Sequence, residues 1–192
     1  RAPGGVNRAM EHATVGYCRM AMYRDGSARM YGNTNTADFQ GLLGPSDTAI
    51  EMLFFKDSNQ KVTGVVVNVS CPSQVVEHMY FVSADFWSEA RKEIRKVLGE
   101  DVYVLPMTGA AGDQSPRDLI RLRRSNSPDV DAALNTYLNV TDPNEAGWEM
   151  YDERGLYIIG ERIGRAVALA YNQVKDKEPD RAELKHVVST LK

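Results

Sequence analysis

The chain has 192 residues, enough for a single domain with a sizeable core. Apolar residues make up 43% and charged residues 26%, ordinary values for a globular protein. The formal net charge of -3 offers nucleic acid no general attraction. No run approaches the roughly 18 consecutive apolar residues that a membrane span needs. The two cysteines, Cys18 and Cys71, make no disulfide framework and read as buried free thiols. The opening Arg1-Ala2-Pro3-Gly4-Gly5 has neither Met nor an apolar leader, so the chain reads as a processed or truncated piece of a longer protein.

In chain order, residues 13 to 23 alternate partly and predict a strand. Asp25-Gly26 is a turn signal, and Ala28 to Tyr31 return as a hairpin. Residues 32 to 48 are rich in Gly, Asn, Thr, Asp, Pro and Ser and predict a long loop. A second hairpin runs from Ala49 to Lys56, turns at Asp57 to Gln60, and returns from Val62 to Ser70. Its return strand is apolar nearly throughout, which predicts a central place in the sheet.

Ser83 is expected to cap a helix running to about Leu98, with Phe86, Trp87, Ala90, Ile94, Val97 and Leu98 on one face. Gly99 stops it. Residues 102 to 106 predict the next strand, and Arg117 to Leu122 can open a helix behind Pro116. A strand, a crossover helix and a strand predict a parallel pair. Both strands would then deliver their following loops, 71 to 80 and 108 to 116, to one edge of the sheet, drawing Cys71, His78, Asp113 and Ser115 together.

Residues 125 to 148 read as an irregular polar excursion. A long amphipathic helix is expected from Glu149 or Asp152 to about Lys175, with Leu156, Ile159, Ile163, Val167, Ala170 and Val174 at helical spacing. Gly155, Gly160 and Gly164 weaken it by about 1 kcal/mol each relative to Ala, unless they allow close packing. The fold class is therefore α/β: a mixed β-sheet with hairpins and a βαβ crossover, helices packed on the sheet. One domain is expected over residues 1–178, with a charged tail or linker over 179–192.

Thr108-Gly109-Ala110-Ala111-Gly112-Asp113-Gln114-Ser115-Pro116 carries the chemistry best. Open α/β sheets bind ligands at the carboxyl ends of their strands, and small residues let a ligand approach the backbone. Ser115 is a candidate nucleophile or substrate anchor, and Asp113 its neighbouring carboxylate. The plain alternative is a turn in which both cap the next helix. No Ser-His-Asp motif, His-x-His or His-Glu-x-x-His pattern is present.

Gly112-Asp113-Gln114-Ser115-Pro116 resembles the Gly-Asp-x-Ser-Pro segment of the neutral/alkaline, non-lysosomal ceramidase family. Val65 to Ser73 followed by Val82-Ser83-Ala84-Asp85-Phe86 resembles that family's apolar strand, metal-ligand loop and Ser-x-Asp helix start. Gly16-Tyr17-Cys18-Arg19 resembles an earlier block. These blocks span roughly residues 11 to 120 in family order, nearest to bacterial ceramidase-like proteins of unassigned function.

The resemblance implies a middle portion of the catalytic domain of a zinc-dependent amidase, in a periplasmic or secreted setting. It implies catalytic roles for Ser115, Asp113 and Arg19, and substrate contacts from Gly112, Gln114 and His12. The family's ligand histidine in the central block is replaced by Cys71, with His78 the nearby imidazole; either suits zinc. Glu77 could orient a ligand or act as a base. Each also has a structural reading: Cys71 as a small buried residue, His78 as a loop histidine, His12 as a core histidine, Arg19 as a solvated strand residue. The implied partners are a lipid or other acyl-amide substrate and the missing portion of the same protein or a second chain. The alternatives are a non-catalytic lipid- or glycan-binding relative with a degraded metal site, and a metal-free serine hydrolase.

Overall fold

The computed structural model describes residues 4–120, 153–181 and 187–190. The expected polar excursion at 125 to 148 and the end of the helix expected after Pro116, from residue 121 on, lie outside these residues. The main sheet orders β1 (Gly4–His12), β6 (Ala49–Asp57), β7 (Val62–Val69) and β8 (Tyr103–Thr108) as β1-β6-β7-β8. β1/β6 and β6/β7 are antiparallel, and β7/β8 is parallel. Two helices, α1 (Phe86–Leu98) and α2 (Glu153–Val174), pack on each other and on one face of this sheet. The architecture is the expected mixed α/β one.

Strand alternation selects the covered face. Ile50, Met52 and Phe54 of β6 and Val65, Val67 and Val69 of β7 are buried, while the residues between them are half-buried or exposed. Phe86, Ala90 and Ile94 of α1 meet this face together with Ile159, Ile163 and Val167 of α2. Leu98 is partly buried in the same cluster, but Val97, expected beside it, is exposed.

Glycines set the contact between the helices. A Cβ at Gly160 would lie 2.5 Å from Glu89 Cβ and 2.8 Å from the Ala90 nitrogen, and one at Gly164 would meet Glu93 Cβ. The low helix propensity of these positions is thus offset by direct backbone approach. Below them Lys56, buried at 3% exposure, donates from Nζ to the carbonyls of Val174, Lys175 and Lys177 at 3.1, 2.9 and 2.9 Å. Those carbonyls belong to the helix's unsatisfied carboxyl end, where a cation is favoured. Beyond α2, Pro179 lies against Gly5, and Val6 and Asp180 exchange backbone hydrogen bonds.

Several local expectations are corrected. Residues 13 to 23 do not form one strand: β2 (Tyr17–Cys18) pairs with β9 (Gln114–Ser115), and β3 (Met20–Tyr23) pairs with β4 (Ala28–Met30) in a separate small sheet. The expected loop at 32 to 48 contains β5 (Phe39–Leu42), which pairs with β3. The cap of α1 is Asp85, whose carboxylate accepts from Phe86 N at 2.8 Å. Ser83 instead accepts from the Asp85 amide at 2.9 Å. The turn at Gly26, with φ 82, and the stop at Gly99, with φ 110, stand where expected.

Gly160→Ala separates propensity from packing. Propensity alone would stabilise the helix by about 1 kcal/mol. The structure leaves no room for the methyl group, so the expected outcome is a net loss of roughly 1–3 kcal/mol in urea unfolding.

Candidate active site

The parallel pair sets the geometry of the sheet edge. β7 and β8 end in register at Val69 and Thr108, and Gly109 N donates to Val69 O at 2.9 Å. The two following loops therefore start side by side, as expected. A Cβ at Gly109 would stand 3.1 Å from Ser70 Oγ, so glycine lets the second loop lie flat on the first.

The second loop is fastened to an earlier part of the chain. Tyr17 and Cys18 pair with Ser115 and Gln114, and Arg19 N donates to Asp113 O at 2.9 Å. The Arg19 guanidinium donates from Nη2 to Gly112 O at 2.6 Å. Arg19 is thus a brace for the loop as well as a half-buried cation beside it. Its guanidinium and that of Arg117 lie 5.9 and 5.8 Å from the centre of the Tyr31 ring, within cation–π range. Tyr31 itself sits at φ 53, an uncommon backbone conformation for a bulky residue.

Ser115 is fully buried, and its Oγ accepts from Arg117 N at 3.2 Å. Asp113 is exposed; its Oδ1 accepts from Gln114 Nε2 at 3.0 Å. Gln114, only 3% exposed, also donates from Nε2 to Pro45 O at 3.3 Å. Both of those partners are acceptors, so the amide nitrogen must face them. This orientation leaves the buried Oε1 without a hydrogen bond. A lone buried acceptor costs about 1–3 kcal/mol and marks a place where a donor fits.

Cys71 is fully buried where the first loop leaves β7. Its Sγ lies 3.4 Å from Pro72 O, and a Cβ at Gly16 would stand 3.0 Å from Cys71 Cβ. Cys71 thus packs beneath the residues that lead into the Tyr17–Ser115 pair. Burial, reinforced by the Asp85 carboxylate, pushes its thiol up to about 12. His78 is exposed in the same loop. Asp85 anchors that loop, accepting from Val76 N at 3.0 Å while it caps α1. At φ 53 and ψ -148 it occupies a region nearly reserved for glycine.

His12 is exposed at the end of β1, not in the core, with Nδ1 3.1 Å from Thr48 Oγ1. Beside it lies a polar pair that the sequence did not single out. Ser70 Oγ donates to Asp47 Oδ2 at 2.9 Å, and Asp47 Oδ1 accepts from Ala49 N. The Ala49 amide first, then the Ser70 hydroxyl, hold the Asp47 carboxyl below its ordinary range, and His12 adds to the effect. Tyr31 was also missed. Only the long-range pairing of β2 with β9 brings it to the site, and no local pattern announces that. Among the described residues, no three His, Cys, Asp or Glu side chains gather to hold a metal. The chain's described residues do not compose a zinc site by themselves.

No protein-family model matches the sequence, and no curated protein matches it. Solved structures do match the fold. A structure described as ceramidase complexed with C2 aligns with 90% of this chain at a TM-score of 0.54 and 13% identity. Neutral ceramidase from Pseudomonas aeruginosa aligns with 90% of it at 0.53 and 14% identity. The chain spans 23% of the length of each of those chains. Its fold is that of part of a neutral ceramidase.

The state of Cys71 is directly checkable. At pH 8 a thiol ionising near 12 is almost wholly protonated. Iodoacetamide should therefore alkylate Cys71 about a thousandfold more slowly in the folded protein than in urea, read by mass spectrometry. The unfolded thiol ionises near 9.0 and the folded one near 12, so its contribution to stability is complete below the first value. That contribution is lost as the pH rises through the window between them.

Proposed function

We propose that this chain forms part of the catalytic domain of a ceramidase-like amidohydrolase. Its substrate would be an N-acyl amide of sphingolipid type, cleaved to a fatty acid and an amine. The observation that carries this reading is the clamping of Gly112 to Ser115 at the sheet's carboxyl edge by Arg19 and the Tyr17–Cys18 strand. The ceramidase-like fold supports a ceramidase-like relative.

In this reading Ser115 attacks or positions the amide carbonyl, and the exposed Asp113 serves as the proton acceptor beside it. The unpartnered Oε1 of Gln114 suits the amide N–H of the substrate. Arg19 holds the loop's backbone and presents its remaining donors to the carbonyl oxygen. Gly112 keeps the approach open, since a Cβ there would meet nothing within 4 Å. His12 stands at the edge of the acyl or headgroup path. Zinc, the cofactor implied by the resemblance, would polarise the carbonyl or activate water. Cys71 or His78 would supply a single ligand each, the others coming from further chain or a second polypeptide.

Two observations favour a second reading, a non-catalytic lipid- or glycan-binding relative. Ser115 and Cys71 are both fully buried, and the resemblance implies that Cys71 stands where a ligand histidine is expected.

Fatty-acid release from an N-acyl-sphingoid amide by the intact protein tests the lead reading. Ser115→Ala should lower the rate about a thousandfold or more, beyond the loss of about 1–3 kcal/mol in stability expected when the Arg117 amide loses its acceptor. Binding without turnover would turn the assignment to the second reading. Turnover that needs Ser115 but survives chelation would indicate a metal-free serine hydrolase. Metal content gives a separate check: the intact protein should carry stoichiometric zinc, lost in Cys71→Ala or in His78→Ala. Metal-free intact protein would remove zinc from the mechanism.

A further inference from the structure

The loop over residues 43–48, between β5 and β6, holds no candidate residue of its own, yet it is bonded to the chain around Ser115. Leu43 N donates to Met20 O at 2.9 Å, at the start of β3. A Cβ at Gly44 would stand 3.7 Å from Asp113 Oδ2, so the loop runs past the exposed carboxylate. Pro45 O accepts from Gln114 Nε2 at 3.3 Å, and Ser46 Oγ accepts from Cys18 N at 3.1 Å. Gln114 and Cys18 are cross-strand partners, next to the Tyr17–Ser115 pair. The loop therefore grips both members of the pair beside Ser115.

Asp47 fixes this loop to the main sheet. Its Oδ2 accepts from Ser70 Oγ at 2.9 Å, and its Oδ1 accepts from Ala49 N at 2.9 Å. Ala49 opens β6 and Ser70 directly follows β7, and these strands are hydrogen-bonded neighbours. Ser70, only 8% exposed, also lies against Gly109, where a Cβ would stand 3.1 Å from its Oγ. One carboxylate thus refers the 43–48 loop, and through it Gln114, to the strand end against which the second candidate loop starts. Proton transfer is not what this arrangement suits. The Ala49 amide and then the Ser70 hydroxyl hold the Asp47 carboxyl below its ordinary range, and such a group is a poor proton acceptor at neutral pH. It suits a fixed hydrogen-bond acceptor.

We propose that Asp47 is a positioning residue: through Ser70 on one side and the Pro45–Gln114 bond on the other, it sets the Gly112–Ser115 segment against the end of β7. That this placement serves hydrolysis rests on the amidohydrolase reading; the placement itself does not. Asp47 acts through other residues and is assigned no contact with substrate. Misplacing reacting groups by about 1 Å can cost about a hundredfold in rate, so a remote anchor of this kind can carry a large effect.

Three variants of the intact protein test the role. Asp47→Ala and Ser70→Ala break the same hydrogen bond from opposite ends, whereas Asp47→Asn keeps it. The asparagine oxygen can accept from Ala49 N, and its nitrogen can donate to Ser70 Oγ, since a hydroxyl accepts as well as donates. Amide hydrogen exchange in the peptide carrying Cys18 and Arg19 reads the segment without reference to activity, because these amides bond Ser46 Oγ and Asp113 O. Both alanine variants should exchange there about tenfold or more faster than wild type, with α1 unchanged. Their kcat for an N-acyl-sphingoid amide should fall about tenfold to a hundredfold, with KM within about twofold of wild type. The double alanine variant should be no slower than the worse single one, because both changes remove one interaction. Asp47→Asn should restore exchange and kcat together. Unchanged exchange in both alanine variants would overturn the proposal, as would an unchanged kcat in variants of an active wild type. So would an asparagine variant as impaired as Asp47→Ala, because charge rather than the hydrogen bond would then matter. A wild type without turnover would remove the amidohydrolase reading alone, and the exchange comparison would still decide the positioning. Should Asp47→Ala fail to fold, Ser70→Ala carries the comparison.

Discussion

The parallel pairing of β7 with β8 is the constraint on which the candidate site depends. Parallel neighbours cannot be joined by a tight turn, so the chain must cross over, and here it does so through α1. The crossover returns the chain to the same end of the sheet, so that Val69 and Thr108 finish side by side. The placement of both candidate loops follows from that alignment. Ser70 and Cys71 leave one strand and Gly109 to Ser115 leave the other. The β2 segment then closes over the second loop by pairing with it. A one-residue slip in β8 would turn Pro106 and Val104 to the opposite face and carry Gly109 away from Ser70.

The crossover needs a firm helix, and α1 is held from three directions. The sheet takes its apolar stripe. Gly160 and Gly164 bring the backbone of α2 against Glu89, Ala90 and Glu93, a contact that larger residues would push apart. Asp85 fastens its start, and the same carboxylate binds Val76 N in the loop after β7. Asp85 therefore couples helix position to loop position. Its positive φ is tolerated because hydrogen bonds to both carboxylate oxygens, and from its own amide to Ser83, determine the conformation together. Lys56 ties the far end of α2 to β6 in a comparable way, neutralising several terminal carbonyls at once.

The sequence revealed those elements whose hydrophobic period matched their burial. The β6/β7 hairpin, α1 and α2 are of this kind. β1 was not recognised because its pattern is inverted. Its covered positions are Asn7 and Ala9, small or polar because the end of α2 and the following turn press against them; Asn7 donates to Glu178 O. Its larger residues, Val6 and Met10, face the other way. The stretch from 13 to 23 misled for a different reason. The chain changes sheets at Arg19, where the buried positions shift phase from Gly16 and Cys18 to Ala21 and Tyr23, and the mostly apolar sequence hides that shift. Gly41 and Gln40 similarly concealed β5. At the site, Asp113 and Ser115 were legible from the small-residue loop at a strand's carboxyl end, and Arg19 only through resemblance. Tyr31, Asp47 and Ser70 converge through long-range pairing that no local window contains.

The burial of Ser115 bears on how such a loop could act. Its hydroxyl is beneath the chain and already accepts the Arg117 amide, while Asp113 and Gly112 lie at the surface. The backbone that leads to Ser115 is held by Arg19 and β2, so the hydroxyl does not reach solvent by a side-chain rotation alone. Exposure requires movement of what lies over it, and Gln114 is bonded to Pro45 in the 43 to 48 loop. That loop also offers Ser46 Oγ to Cys18 N and Asp47 to Ser70. It is thus stitched to β2, which pairs with Ser115, and to the residue that follows β7. The buried, unpartnered Oε1 of Gln114 belongs to the same side chain that holds Pro45, so the amide joins the 43 to 48 loop to the Ser115 strand.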